Sequence, residues 1–195
     1  GSMQIVKKLI SSHPRGAAVR CLEHEKNKGL SAARNTGISV SVGDYLYFLD
    51  SDDYIPANAI ELLAEAARQK QTNFVIGNYE VTGARRWAPP LSLGTGLYEG
   101  NALVLSNYVQ EKWYVMAWNK LVSRPFVLQH QLYFQEGIVH EDDLWSFKLA
   151  CMAQSMYVVD ETTYYYSMQP DSIMRAPSMR NLECRVLVLG YIFDF

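Results

Sequence analysis

Cysteine is scarce in this chain and never clustered: Cys21, Cys151 and Cys184 are odd in number, widely spaced and form no CxxC pair. That spacing suggests neither a disulfide framework nor a structural zinc site, and it fits a reducing cytoplasm. No apolar run reaches the roughly 18 residues a spanning helix needs, and no basic-then-apolar leader marks a secretion signal, which leaves lipid-surface attachment open. Lys and Arg form no run, and 18 basic against 20 acidic residues leave a net charge of -2, so nucleic acid is not an expected partner. A Gly-rich GxxxxGKS/T loop is also absent, which disfavours a P-loop phosphoryl transferase. There is no internal repeat.

What remains is a globular composition. Apolar residues make up 49% of the 195, enough for one domain or a core with an appended subdomain. Gly1-Ser2-Met3 reads as an expression scar and is set aside. Ile5 and Leu9 stand at helical spacing, Ala17–Leu22 reads as a short strand after the Pro14-Arg15-Gly16 turn, and Ser31–Val40 as a second helix. The unalternating run Tyr45–Leu49 has the pattern of a parallel strand covered on both faces. Pro56 suits a first helical turn, and Ile60, Leu63, Ala64 and Ala67 follow at i, i+3, i+4, i+7. Asn73–Val81 reads as another strand, so helix and strand alternate as in an α/β sheet.

Residues 83–97, GARRWAPPLSLGTGL, read as a long loop of the kind that carries binding residues. Beyond it the pattern predicts helices over Asn101–Gln110 and Asp142–Ala153 and strands over Met156–Asp160 and Thr162–Met168. The final RVLVLGYIFDF is helical and apolar, suited to packing on the core or docking at a membrane surface.

Two acidic clusters break this globular pattern. In YLYFLDSDDY, residues 45–54, an apolar strand runs straight into Asp50, Ser51, Asp52 and Asp53. Residues i and i+2 of an extended segment point the same way, so Asp50 and Asp52 can converge. A divalent cation relieves their repulsion, and Mg²⁺ or Mn²⁺ takes one or two protein carboxylates while phosphate oxygens fill the rest of its shell. Capping of the next helix by Asp52 or Asp53 explains the same residues without a metal. In HEDDLWSFKLA, residues 140–150, Glu141, Asp142 and Asp143 stand ahead of a helix whose Leu144, Phe147 and Cys151 form an apolar stripe. Capping accounts for these acids too, at about 0.3 to 1 kcal/mol each.

NKGLSAARNTG, then GDYLYFLDSDD and a Pro-started helix, together resemble glycosyltransferase family 2, over about residues 4–175. The resemblance implies a GT-A fold, an α/β Rossmann-like mixed sheet flanked by helices. It also implies inverting transfer of a sugar from a nucleotide diphosphate donor to an acceptor hydroxyl. It makes Asp50-Ser51-Asp52 a DxD motif holding Mg²⁺ or Mn²⁺, with Asp52 as direct ligand and Asp50 beside it. Asn27, Gly29, Arg34, Asn35 and Asp50 go to the donor side. Without the resemblance, Arg34 would read as a solvated helix residue.

The HEDDLW segment looks like the family's ED-containing segment, which makes Asp142 the base and Glu141 its orienting neighbour. AWNKLVSR (117–124) and DETTYYYSMQPDSIMR (160–175) also resemble family segments. They place Trp118, Asn119 and Lys120 by the donor-sugar or acceptor pocket, with core packing an equal reading for Trp118. Tyr164–Tyr166 read as a packed strand, and His140 as a hydrogen-bonding residue without a metal.

Family members open with a strand, a helix, a second strand and an Asp-Asp-Gly-Ser segment, none of which precedes Gln4 here. The resemblance therefore implies an N-terminally truncated chain that lacks the first βαβ portion. The expected division is a partial nucleotide-sugar region (4–82), an acceptor-side catalytic region (83–175) and a C-terminal helical segment (176–195). An uncovered sheet edge predicts self-association or marginal stability. The implied partners are a UDP-sugar and a glycan or lipid-linked acceptor, reached in the cytoplasm at the inner face of the membrane. The rival is a non-catalytic module of the same fold that binds a glycan or a partner subunit.

Overall fold

The computed structural model describes residues 2–83, 91–168 and 178–195. The two segments richest in β-branched and aromatic residues, β2 (Phe74–Gly83) and β5 (Ser155–Met168), lie side by side and parallel at the middle of a mixed sheet. Around them run β1 (Tyr45–Tyr47), β3 (Gly96–Glu99) and β4 (Lys120–Ser123), in the spatial order β1-β4-β2-β5-β3. Every pairing other than β2–β5 is antiparallel. The helices are α1 (Ser2–Ser12), α2 (Leu30–Val40), α3 (Ala59–Lys70), α4 (Asn101–Val109), α5 (Arg124–Gln129), α6 (Glu141–Met152) and α7 (Met179–Phe193).

Strand periodicity divides the core. Phe74 and Ile76 join the large cluster with Trp113, Tyr114, Trp118 and Trp145, whereas Val75 turns to the other face and packs with Leu63 and Ala67 of α3. The helix period predicted for α3 holds with its face rotated: Ala59, Leu63 and Ala67 are buried, Ile60 is exposed, and Pro56 precedes the helix.

Four expectations are corrected. Tyr45–Leu49 is not a parallel strand covered on both faces. It is a three-residue strand paired antiparallel with β4 alone among the described strands, and only Leu46 is buried. Ala17–Leu22 forms no strand: a single 3₁₀ turn (Gly16–Ala18) leads into irregular chain with Val19 and Leu22 exposed, because no described strand supplies a ladder partner. The two strands expected over 156–168 are one, since pairing passes from Gly77↔Val159 to Asn78↔Thr162 across a bulge that absorbs Asp160 and Glu161. The expected loop 83–97 contains the end of β2 and the start of β3, while residues 84–90, like 169–175 of the second quoted family segment, lie outside the described residues.

Asn119, with φ 57°, binds three strands together. Its Nδ2 donates to the carbonyls of Gly77 and Asn78, both at 3.0 Å, and its Oδ1 accepts from the Tyr47 hydroxyl at 3.1 Å and the Thr163 hydroxyl at 2.8 Å. Helix α1 buries none of its residues, and Ile5 and Leu9 are 64% and 61% exposed. No described helix is long and apolar enough to cross a membrane.

Candidate active site

β1 ends at a turn rather than continuing as extended chain, so the pleat does not align Asp50 with Asp52. The Asp53 N–H donates to the Asp50 carbonyl at 3.2 Å and closes the turn. Asp53 anchors it: its carboxylate accepts from the Tyr164 hydroxyl at 2.6 Å and the Ser167 N–H at 2.7 Å. The Tyr164 hydroxyl in turn accepts from the Asp50 N–H at 3.3 Å. Neither Asp52 nor Asp53 caps α3, which starts after Asn58 with no side-chain cap. With Asp53 committed to the sheet, Asp50 points inward and Asp52 is left exposed.

Arg34 meets Asp50 from α2. Its Nη2 donates to Asp50 at 3.0 Å, and its Nη1 donates to Glu141 at 3.0 Å and Asp142 at 2.6 Å. The guanidinium rests on the Phe134 ring, Cζ 5.0 Å from its centroid, and Phe134 stacks on Trp145. The next residue holds the same wall in place: Asn35 donates to the Phe134 carbonyl at 2.9 Å and accepts its N–H at 2.8 Å. Glu141, Asp142 and Asp143 occupy the first turn of α6, as capping would have them, but no side chain caps that helix. Asp142 uses its second oxygen on the Ala117 N–H at 3.2 Å.

One guanidinium faces three carboxylates here, so negative charge is in excess. Burial and the Asp142 charge push the Glu141 carboxyl up to about 7. Burial likewise raises Asp50, with Arg34 opposing. The three carboxylates raise Arg34 against the opposite pull of its own burial.

A carboxyl whose folded pKa exceeds its unfolded value stabilises fully below the unfolded value and loses that contribution as pH rises through the folded one. The Glu141 contribution to folding stability should therefore rise on acidification from pH 8 to pH 5. Glu141→Gln should make the stability change of the whole protein between those pH values less favourable to acid by an amount on the order of 1 to 3 kcal/mol. Melting curves at several pH values test this, and equal slopes in the two proteins would refute the assignment.

The other candidates stand apart from this cluster. The Asn27 side chain accepts the Gly29 N–H at 2.8 Å, and Gly29, with φ 85°, starts α2 in a backbone conformation that favours glycine. Both line an open cleft of about 340 Å³ shared with Arg20, His24 and Lys28. Trp118, Asn119 and Lys120 are core residues, at most 2% exposed, and Trp118 stacks on Tyr164 with ring centroids 4.4 Å apart. The reading of Trp118 as packing thus describes its position. The sequence offers Asp53 only as a helix cap and Tyr164 only as part of a packed strand, and it carries no signal for Phe134 or the Ala117 N–H. The Tyr-Tyr-Tyr run within the second quoted segment is the one signal pointing at Tyr164.

Among the described residues no group of three or more His, Cys, Asp or Glu is arranged to hold a metal ion. The donor set fits a looser arrangement. Asp52 is exposed, Asp50 is engaged through one oxygen, and the cluster carries uncompensated negative charge. Mg²⁺ and Mn²⁺ bind in this way when phosphate oxygens complete the shell.

Comparison with known proteins bears on the family and the fold. Residues 1–125 match the family profile described as Glycosyl transferase family 2. The uncharacterized glycosyltransferase EpsJ of Bacillus subtilis is 32% identical, covering 84% of this chain and 48% of the relative. Glycosyltransferase GlyG of Streptococcus pneumoniae is 27% identical, covering 80% of this chain and 54% of its own. The chain thus spans about half the length of these relatives. The crystal structure of S. aureus TarS 1-349 in complex with UDP-GlcNAc superposes with a TM-score of 0.78 at 19% identity, over 99% of this chain and 54% of that one. The fold is therefore the GT-A fold of these enzymes, and with a profile match over most of its length and a relative above 30% identity, this chain belongs to glycosyl transferase family 2.

Proposed function

We propose that this chain carries the centre of an inverting, metal-dependent transfer in which a sugar moves from a uridine diphosphate carrier to a hydroxyl of a glycan or lipid-linked acceptor. The observation supporting it is the meeting of Asp50, Glu141 and Asp142, from opposite halves of the chain, on one buried guanidinium. In this reading Asp142 is the general base. Arg34 and Ala117 each donate to one of its oxygens, and a carboxylate has lone pairs left to take the acceptor proton. The new C–O bond forms on the side of the anomeric carbon opposite the departing diphosphate, which leaves with the electron pair of the broken bond. Glu141 shares Arg34 and sets the charge around Asp142.

Asp52, with Asp50 beside it, would hold Mg²⁺ or Mn²⁺, which when bound supplies positive charge to the diphosphate oxygens. The cleft at the start of α2, with Asn27, Gly29 and Lys28, offers N–H groups and positive charge to the donor, and Asn35 braces the wall beside Arg34. TarS, crystallised with UDP-GlcNAc and with UDP, supports the donor class. A cytoplasmic setting at the inner membrane face gives access to a lipid-linked acceptor, and the exposed apolar residues of α1 favour self-association.

Calorimetric titration with UDP, with and without Mn²⁺, tests this. The expected result is binding that requires Mn²⁺ and is lost in Asp52→Ala. Glycan binding indifferent to metal and to that substitution would instead mark a non-catalytic module of the same fold.

A further inference from the structure

Lys120 opens β4 with its side chain completely buried, and no described carboxylate lies within ion-pair distance of it. A lysine in such a place is expensive to desolvate, whereas methionine would fill a similar volume without that penalty. Burial pushes its pKa down to about 7, with the Asp142 charge opposing and Arg34 adding to the shift. The ammonium is spoken for by backbone and rings. It donates to the carbonyls of Tyr114, at 3.0 Å, and Met116, and it lies 4.4 Å from the Tyr114 ring centroid and 5.5 Å from that of Trp113.

The Met116 carbonyl and the Ala117 N–H belong to the same peptide group. No cis peptide occurs among the described residues, so the oxygen and hydrogen of that planar unit point in opposite directions. The oxygen faces the Lys120 ammonium and the hydrogen faces Asp142 Oδ2, at 3.2 Å. Ammonium, peptide dipole and carboxylate thus stand in line, each positive end against a negative one. The intervening carbonyl, that of Val115, accepts from the Ser146 hydroxyl on α6. Side chains therefore hold the Tyr114, Val115 and Met116 carbonyls in turn, and this part of the backbone has little freedom to rotate.

We propose that Lys120 is a positioning residue for Asp142, acting through the Met116–Ala117 peptide. From below, it sets the peptide plane so that the Ala117 N–H meets the carboxylate. Its charge polarises the peptide and strengthens that hydrogen bond. The effect on turnover rests on the reading of Asp142 as the base, but the relay itself does not.

NMR of the ¹⁵N,¹³C-labelled chain, joined to kinetics, tests the relay. Lys120→Met should move the Ala117 amide and Met116 carbonyl resonances and speed exchange of the Ala117 amide proton. It should lower kcat by up to about 10²-fold, as a small misplacement of a catalytic group does, with donor KM unchanged. A folded Lys120→Met protein with the Ala117 shift and exchange rate of the parent overturns the proposal.

Should that variant fail to fold, Asp142→Asn decides from the other end. It should move the Met116 carbonyl carbon and the Lys120 Nζ resonance as well as the Ala117 amide. Unmoved Met116 and Lys120 signals refute the relay. If the parent protein transfers no sugar with any donor, the catalytic reading fails, while the same resonances still decide the relay.

Discussion

Arg34→Met is expected to lower folding stability at pH 7 by about 3 to 5 kcal/mol, the range for removing one partner of a buried ion pair. The side chains of Arg34, Glu141 and Asp142 are 6%, 11% and 21% exposed, so solvent cannot take over the lost charge. Without the guanidinium, three carboxylates face one another, and the phenyl face of Phe134 loses its cover. The deficit should shrink at pH 5. There Glu141 and Asp50, both raised by burial, bind protons in the folded state before they would in the unfolded chain, and this recovers stability. Arg34→Lys should restore only part of it, because one ammonium does not reach Asp50 and the Glu141–Asp142 pair as a planar fork does. Urea unfolding of the three proteins at both pH values measures this. A loss below about 1 kcal/mol, the worth of a surface pair, would mean that water screens the cluster.

The largest effect on chemistry is expected at Asp142. Its amide, Asp142→Asn, keeps an oxygen for Arg34 or for the Ala117 N–H but cannot take a proton at neutral pH. Transfer from a UDP-sugar should fall by about 10² to 10⁴, the usual contribution of a positioned base, with donor affinity little changed. Release of UDP in the presence of acceptor gives the rate, and calorimetry gives the affinity. If turnover falls less than about ten-fold, proton transfer lies elsewhere, and Glu141, the other carboxylate on the same guanidinium nitrogen, becomes the group to test.

Local signals located both acidic clusters. An apolar run ending in four polar residues, and three acids at the first turn of a helix, are visible within ten residues of sequence. The residues they work with are not. Nothing within reach of Arg34 in the sequence says that it will meet Asp50, 16 positions away, and Asp142, 108 away. Crowding of the acids also misled in detail: Asp53, which reads as a cap, ties the turn to Tyr164 and Ser167 instead. Trp118-Asn119-Lys120 resembles a polar pocket motif, yet Asn119 spends its four hydrogen bonds joining β1, β2 and β5. The strand expected at Ala17–Leu22 failed for a related reason, since a strand is completed by a neighbour and not by its own composition.

Periodicity and turn chemistry in the sequence alone were enough to determine the alternation of helices and strands from α2 to β2 and, to within a residue, the limits of α2, α4 and α6, while the resemblance of NKGLSAARNTG and GDYLYFLDSDD pointed to the family. Those properties depend on residues close together along the chain, where side-chain direction follows from backbone geometry. Which carboxylates share one buried cation, which aspartate stays exposed, and which lysine lies beneath the site were decided only by the tertiary structure. Burial is a collective property: a charge taken out of water must find its partner wherever the packed sheet and helices place one.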